Sequence, residues 1–173
     1  MALLHVTGDG PDGGIARLGH MTFACALGSG GIVADKREGD GGTPTGIFAV
    51  RRLLYRHDRI GRPLTTLPAQ PIQHAHGWCD DPASPHYNRQ VRRPSAHGHE
   101  HLWRADGLYD LVLVIGHNDR PAVPGRGSAI FVHVARPDHA PTEGCIAFDI
   151  DDLLRIVARL KPGDAIHVEK QRG

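Results

Sequence analysis

The run Leu108–Gly116 (LYDLVLVIG) constrains the fold more than any other stretch of the sequence. It is almost continuously apolar, and it ends at a glycine. Short apolar runs rich in leucine, valine and isoleucine are typical of strands that are buried on both faces. We therefore expect a central strand here, covered on each side by other parts of the chain.

Glycine and proline are frequent in the sequence, with 22 Gly and 13 Pro among 173 residues. Frequent turns favour a β-rich fold over a bundle of helices. Between the turns, short apolar or alternating stretches predict further strands. These stretches are Leu3–Val6, Ile15–Leu18, Met21–Leu27, Gly46–Tyr55, Pro71–His76, Ser128–Ala135 and Ala165–Glu169. The expected fold class is mainly β.

One helix is predicted near the C-terminus, over about 149–160. Its apolar residues follow the spacing of a single helical stripe. Asp149 could cap the first turn, and the pair Pro162-Gly163 ends the helix. The stripe consists of Ile150, Leu153, Leu154, Val157 and Leu160.

The sequence has no internal repeat and no linker, so residues 1–173 are expected to form a single domain. Apolar residues make up 40% of the chain, which is ordinary for a globular protein. The segment Gly77–Gly107 lacks periodicity. A loop of that length is usually a lid or a binding wall, or it hides an element that the pattern does not reveal.

Charge and hydropathy exclude several kinds of partner. The 20 basic and 19 acidic residues give a net charge of +1, which recruits neither nucleic acid nor an anionic membrane. The N-terminus, MALLHVTGDG, lacks the pattern of a signal peptide, and no stretch is long enough for a membrane span. These features predict a soluble monomer without a visible targeting signal.

The cysteines and histidines do not predict a disulfide framework, a metal site or a cofactor. Cys25, Cys79 and Cys145 are odd in number and widely spaced, without a C-x-x-C pair. Cys25 falls on the apolar side of an alternating strand, so we expect a buried, inert thiol. The run His97–His101 (HGHEH) lacks the helical spacing of known zinc motifs, and we interpret it as a solvated loop.

His133 and Cys145 are the best candidates for a base and a nucleophile. Alternation along Ser128–Ala135 places His133 on the opposite face from Ile130, Val132 and Val134. A thiol becomes nucleophilic when a nearby base takes its proton. Gly144 would permit a tight backbone whose N–H groups could stabilise an oxyanion. The same residues could equally be a core histidine and a core thiol, and chemistry alone does not separate the two interpretations.

Several motifs resemble those of one enzyme family. The run Thr142–Ile146 (TEGCI), with a strand histidine upstream, resembles the signature of L,D-transpeptidases with a YkuD-type catalytic domain. The run Thr43–Phe48 (TPTGIF) is similar to the T-P-x-G-x-F motif of that family. The runs Glu38–Gly41 and Gly125–Phe131 look like its short, domain-only branch. The resemblance extends over roughly residues 30–168.

The resemblance implies a fold and a reaction. The fold would be a β-sandwich of mixed sheets with few helices. Cys145 would attack the amide before the terminal D-alanine of a peptidoglycan stem peptide, with His133 as base and the Gly144–Cys145 backbone as oxyanion hole. An amine of a second stem would then form an L,D cross-link, as cell-wall synthesis and cell shape require. Carbapenem-type β-lactams would be expected to acylate Cys145.

Alternative functions remain open at this point. An L,D-carboxypeptidase or amide hydrolase would use the same pair with water as the acceptor. A non-enzymatic wall-binding module is a third interpretation. The family would place the protein in the cell envelope or periplasm, whereas the absence of a visible signal peptide leaves a cytoplasmic location open.

The substrate contacts are harder to assign. The family's usual pattern has glycine after the histidine and arginine two residues after the cysteine, where this chain has Val134 and Ala147. Arg126 is our candidate for the missing arginine, because a guanidinium binds a carboxylate with two hydrogen bonds. The other predicted substrate-binding residues are Ser128, Thr142 and Asn118.

Overall fold

The computed structural model describes residues 1–10 and 13–170, which form fourteen strands and two helices. The strands are β1 (Leu3–Gly8), β2 (Gly13–Leu18), β3 (Met21–Ala26), β4 (Ile32–Val33), β5 (Thr43–Pro44), β6 (Gly46–Tyr55), β7 (Ala69–Pro71), β8 (His76–Cys79), β9 (Gln90–Arg92), β10 (His99–His101), β11 (Leu111–Ile115), β12 (Phe131–Val134), β13 (Ile146–Phe148) and β14 (Ala165–Glu169). The helices are α1 (His57–Ile60) and α2 (Ile150–Val157).

The largest sheet closes on itself. Its strands follow the order β11-β12-β13-β3-β2-β1-β14-β6-β7, and β6 also pairs with β11. The long strand β6 makes this closure possible, because its first half pairs with β14 and its second half with β11. The mainly β class is therefore confirmed. The sheet is barrel-like, and the expected sandwich is not confirmed.

Two apolar cores lie on opposite faces of β11 and β12. Leu111, Leu113 and Ile115 face the core enclosed by the barrel. Val112 and Val114 face a second core outside it. All five residues of β11 are buried, which confirms the predicted strand with two covered faces.

The second core exists because a three-stranded sheet covers the outside of the barrel. Strands β8, β9 and β10 form this sheet in the order β10-β8-β9. Trp78 of β8 packs edge-on against Phe131 of β12, with ring centroids 4.8 Å apart. The segment 77–107 is thus not one long loop. The predicted strand Pro71–His76 is wrong, because a turn separates β7 from β8 at those residues.

Helix α2 closes one side of the barrel core. Leu153, Val157 and Leu160 of the predicted stripe are fully buried, and Ile150 and Leu154 are partly buried against the same core. The stripe is therefore confirmed, and Ile156, which the spacing did not include, is buried with it. The helix ends at Val157, earlier than expected. Asp149 makes no side-chain cap, and the capping prediction is wrong. Its carboxylate instead contacts His139 Nε2 at 2.9 Å.

The other predicted strands are found at or near their expected positions, and β6 and β14 have the predicted bounds. The chain between β1 and β2 includes residues 11 and 12, which lie outside the described residues. Within residues 1–10 and 13–170, neither helix has the length and apolarity needed to cross a membrane. Cys25 is buried, as predicted, and burial raises its pKa to about 12.

Candidate active site

Strand pairing brings Cys145 and His133 to the same face of the sheet. Strands β12 and β13 run parallel, with His133 opposite Ala147. Paired residues of a parallel ladder project to the same face, and so do residues two apart in one strand. Cys145, two residues before Ala147, therefore lies on the face of His133, offset by about 7 Å along the strands. Both residues line one cleft of about 640 Å³.

The backbone fixes the tautomer of His133. Its Nδ1 lies 2.8 Å from the carbonyl oxygen of Val134. A carbonyl only accepts hydrogen bonds, so Nδ1 carries the hydrogen and Nε2 keeps its lone pair. Tyr109 packs edge-on against the imidazole, with centroids 5.4 Å apart. Burial lowers the pKa of His133 to about 4, so the ring is a neutral base at physiological pH.

The thiol of Cys145 rests as a neutral donor. Its Sγ lies 3.2 Å from the carbonyl oxygen of Ala129 and accepts the N–H of Phe131 at 3.3 Å. Burial raises its pKa to about 12, against the smaller lowering effect of the Phe131 N–H. The pair at rest is therefore a neutral thiol and a neutral imidazole.

The turn before Cys145 is held by Thr142 and by close backbone packing. The Thr142 hydroxyl donates to the Cys145 carbonyl oxygen at 2.7 Å and accepts the Gly144 N–H at 3.1 Å. Gly144 has φ +131°, and a Cβ there would lie 2.7 Å from the Gly42 carbonyl oxygen. Glycine is therefore required by both conformation and space. Among the described residues, the Cys145 N–H has no hydrogen-bond acceptor.

One wall of the cleft carries a carboxylate held by two hydroxyls. Glu38 Oε2 accepts hydrogen bonds from the Tyr87 hydroxyl and, at 2.9 Å, from the Ser128 hydroxyl. The Tyr87 oxygen also accepts the Gly127 N–H at 3.1 Å. Nearby, Lys36 pairs with Asp40 in the same wall. This network connects the segment 36–40 to the chain leading into β12.

The opposite wall comes from β10 and the chain before β11. The Tyr109 hydroxyl donates to Glu100 Oε2 at 2.6 Å. Burial raises the pKa of Glu100, although the Tyr109 hydrogen bond opposes this rise. Both residues line the cleft with Cys145 and His133. The cleft can therefore present polar groups to a substrate on both sides of the thiol.

A comparison with protein families decides the classification. The family model described as the YkuD L,D-transpeptidase catalytic domain matches residues 12–168, nearly the whole chain. The chain belongs to the YkuD family of L,D-transpeptidase catalytic domains. The suspected resemblance is thereby confirmed, and it implies an L,D-transpeptidase-type enzyme in a peptidoglycan and cell-wall context. No curated protein and no solved structure gives a significant match to the chain.

The YkuD domain places the predicted substrate residues at different locations. Ser128 and Thr142 line the cleft, where both are engaged in hydrogen bonds. Asn118 is not in the cleft lining. Its side chain instead organises a loop, with bonds to the backbone of Val123 and Gly127. Its role in substrate binding stays a prediction.

Arg126, the predicted carboxylate ligand, is also outside the cleft lining. Its guanidinium is half-exposed and contacts Asp35 at 2.6 Å. Two other arginines do line the cleft, Arg104 and Arg136. Arg104 pairs with Asp106, whereas Arg136 is exposed and makes no ion pair among the described residues. Sequence reasoning missed both arginines.

Several further cleft residues were not predicted. They are Lys36, Glu38, Asp40, Glu100, Tyr109 and Glu143. The runs that resemble the family contain Glu38 and Asp40, so the motif before β5 was an available signal for those two. Glu100 sits in the HGHEH run, which drew attention only as a metal candidate. Tyr109 lies in the apolar run that predicted β11.

The HGHEH histidines do not gather around a common point in the described part of the chain. His97 Nδ1 contacts Asp81 at 3.1 Å, and His99 Nδ1 donates to the His97 carbonyl oxygen at 2.8 Å. His99 and His101 stack, with centroids 5.6 Å apart. The last three residues of the run, His99–His101, form strand β10, so the expected solvated loop is wrong for this part of the run.

Proposed function

We propose that this YkuD domain is a cysteine acyltransferase that acts on peptidoglycan stem peptides and forms L,D cross-links. The observation that carries the proposal is the placement of Cys145 and His133 on one face of adjacent parallel strands, in the same cleft. Family membership supports the substrate class. The neutral thiol and the neutral imidazole with a free Nε2 support general-base activation of the nucleophile.

Acylation follows from these protonation states. As Cys145 Sγ attacks the carbonyl carbon before the terminal D-alanine, its proton passes to His133 Nε2. The developing oxyanion can accept a hydrogen bond from the Cys145 N–H, which is otherwise unpaired among the described residues. The Gly144 N–H could join it only if it left the Thr142 hydroxyl. Collapse breaks the C–N bond, the imidazolium gives its proton to the leaving amine, and a thioester remains.

Deacylation repeats these reaction steps with a new nucleophile. An amine of a second stem peptide attacks the thioester, and His133 takes its proton. The C–S bond breaks, the thiol is regenerated and the cross-link forms. Water in place of the amine would give the hydrolase that the sequence left open. The cleft has space for an acceptor peptide, and the polar groups on both walls could form hydrogen bonds with it. This supports transfer to an amine rather than hydrolysis.

Arg136 is our candidate for binding the substrate's carboxylate. Its guanidinium lines the cleft and is free of ion pairs within the described residues, unlike Arg126. It is also close enough to His133 to lower the pKa of the imidazole. A free guanidinium beside the base can bind a carboxylate of the donor stem with two hydrogen bonds.

The acyl-enzyme step is tested by intact mass after incubation with a carbapenem. We expect one covalent adduct on the wild-type chain, no adduct on Cys145→Ser, and much slower formation on His133→Gln. Cys79→Ser serves as the matched control, because that thiol is buried away from the cleft lining. A wild-type chain that forms no adduct and turns over no stem peptide would overturn the proposal.

The acceptor is tested by product analysis with a purified tetrapeptide stem. Release of D-alanine with a cross-linked dimer supports transfer. Free tripeptide without a dimer would replace the transferase with an L,D-carboxypeptidase.

The arginine assignment is tested with a matched pair of variants. Arg136→Gln should raise KM for the tetrapeptide by about 10- to 100-fold, the range expected for loss of charged hydrogen bonds. Arg126→Gln should change KM little, because its guanidinium is paired with Asp35. The reverse order would restore Arg126 as the carboxylate ligand.

A further inference from the structure

A group of metal-ligating side chains lies on the outer face of the barrel, away from the cleft. His5 of β1 and His167 of β14 are directly opposite in a parallel ladder. Glu169 follows two residues later on β14 and shares the face of His167. One ligand atom from each of the three side chains lies within 4.8 Å of the others. We propose that His5, His167 and Glu169 form a binding site for a divalent transition metal of the zinc class.

All three residues of this group lie on paired strands, and none lies in a loop. Leu4, Val6, Ile166 and Val168 point into the barrel core, so the residues alternating with them point outward. β1 is paired on both edges, with β2 and β14, and β14 is paired on both edges, with β1 and β6. The three ligand backbones are therefore held rigidly, as a preorganised site requires.

The distances are close to those of a metal-bound set. His5 Nε2 lies 3.0 Å from Glu169 Oε2, and the rings of His5 and His167 have centroids 4.9 Å apart. In a tetrahedral zinc site with bonds of about 2.0–2.1 Å, ligand atoms lie about 3.4 Å apart. Small rotations of half-exposed side chains are enough to reach that geometry. The fourth coordination position of the metal would face solvent.

The donor set selects the kind of ion. Two imidazole nitrogens and one carboxylate oxygen suit zinc, copper and nickel, whereas calcium and magnesium require oxygen ligands. Two residues opposite the histidines would affect a bound cation differently. Arg17, opposite His5 on β2, is exposed and adds a repulsive charge, and Ile47, opposite His167 on β6, is 64% exposed and apolar.

The site is separate from the proposed acyl transfer. In the closed ring of strands, β1 and β14 lie on the far side of the barrel from β12 and β13. A bound metal would join His5 to Glu169, which are 164 positions apart in the sequence. Closing so long a loop restricts the unfolded chain, so the metal would act as a clamp between the first and last strands.

Zinc titration by calorimetry tests the proposal. We expect the wild-type chain to bind one Zn²⁺ at this face. His5→Gln, His167→Gln and Glu169→Gln should each weaken that binding by at least about 10-fold, the smaller effect known for loss of supporting contacts around a metal. His20→Gln is the matched control, because His20 is exposed in the turn between β2 and β3. Arg17→Gln should tighten binding.

Binding to the cleft thiol must be separated from binding to this group. The same titration on Cys145→Ala should leave the site intact. Co²⁺ provides the second readout, since a site without thiolate gives d–d absorption without sulfur charge-transfer bands. Zn²⁺ should also raise the melting temperature of the wild-type chain and of Cys145→Ala, but not that of folded His5→Gln. Absence of Zn²⁺ binding, or binding that is lost with Cys145 and kept in His5→Gln, would overturn the proposal.

Discussion

Cys145 and His133 each resist carrying a charge at rest, because both are buried in the cleft wall. Burial raises the pKa of Cys145 to about 12 and lowers that of His133 to about 4. The rate of alkylation by iodoacetamide should therefore rise steadily over about pH 6 to 10 as thiolate forms. The measurement is the fraction of modified Cys145 peptide against time at each pH.

A thiolate–imidazolium pair would behave differently. It would give a plateau of reactivity below about pH 7, where the imidazolium holds the thiolate. Such a plateau in the Cys145 peptide would contradict the neutral pair. The peptides of Cys25 and Cys79 serve as internal controls, since both thiols are buried and neither lines the cleft.

Asn88 is a second residue on which the site depends, although it does not line the cleft. Its Oδ1 accepts from Trp78 Nε1 and from the Ala129 N–H, both at 3.0 Å. Its Nδ2 donates to the carbonyl oxygens of His117 and Asn118. Asn88→Ala would leave buried donors and acceptors unpaired, so it should lower the free energy of unfolding by about 3 kcal/mol.

Urea denaturation measures this loss, and Asn118→Ala is its matched control. Both asparagines have positive φ, +56° and +48°, so the backbone strain of alanine is similar. The bonds of Asn118 lie partly in solvent, and its loss should cost only about 1 kcal/mol. Equal losses in the two variants would show that Asn88 is not a central hydrogen-bonding residue.

At the scale of elements, the turn into β13 determines where the thiol lies. A Cβ on Gly144 would meet the Gly42 carbonyl oxygen at 2.7 Å, so Gly144→Ala must displace one of the two backbones. A displacement of about 1 Å at a reacting group typically costs on the order of 100-fold in rate. We expect that loss in carbapenem acylation, followed by intact mass.

Gly163→Ala is the matched control for this turn. Gly163 also has positive φ, +96°, but a Cβ there meets nothing within 4 Å. Its alanine variant should lose about 1 kcal/mol of stability and keep its acylation rate. Acylation of Gly144→Ala at the wild-type rate would mean that the turn tolerates displacement.

The sequence predicted the elements that have a strong local pattern. The alternation of Ser128–Ala135 placed His133 on the correct face, and the apolar run at 108–116 gave a strand covered on both sides. Strands β8 to β10 have only three or four residues each, interrupted by glycine and proline. They are held by tertiary packing, such as that of Trp78 on Phe131, which no local pattern encodes.

The same limit applies to the candidate site. Cys145, His133 and Thr142 belong to one continuous motif, which made them visible in the sequence. Glu100 belongs to a run that suggested only a metal site, and Arg136 lies between His133 and Thr142 at a position that the motif does not specify. Whether their side chains reach the cleft depends on how the small sheet and the chain after β12 fold over the barrel. Arg126 was a candidate because it lies just before the strand that carries His133. Its ion pair with Asp35, which is distant in the sequence, could not be foreseen from that position.

At the scale of the whole molecule, closure of the sheet explains why the cleft lies outside the barrel. The barrel interior is filled by apolar side chains, and the candidate site residues therefore lie on the outer face of β12 and its neighbour β13. The three-stranded sheet then supplies one wall, and the segment 36–41 supplies the other. Burial of the site between these parts also places ionisable groups in a dry environment, which affects stability.

Acid should destabilise the fold through its buried histidines. Burial lowers the pKa of both His117 and His133 to about 4. Between about pH 6.5 and 4 the unfolded chain binds protons that the folded chain does not. The stabilisation from each histidine is therefore complete above about pH 6.5 and is lost as pH falls towards 4, by up to about 3 kcal/mol.

His117→Asn tests this linkage through urea denaturation at several pH values. The slope of unfolding free energy against pH in that window should fall by up to about 1.4 kcal/mol per pH unit, the effect of one proton. Burial raises the pKa of Glu100, so this residue makes the unfolding free energy fall as the pH rises, opposite to the histidines. Its effect is the same in the wild-type chain and in His117→Asn, and it cancels when the two slopes are compared. His20→Asn, in the exposed turn between β2 and β3, is the control for the substitution itself. An unchanged slope in His117→Asn would mean that His117 takes up its proton equally in the folded and unfolded chains.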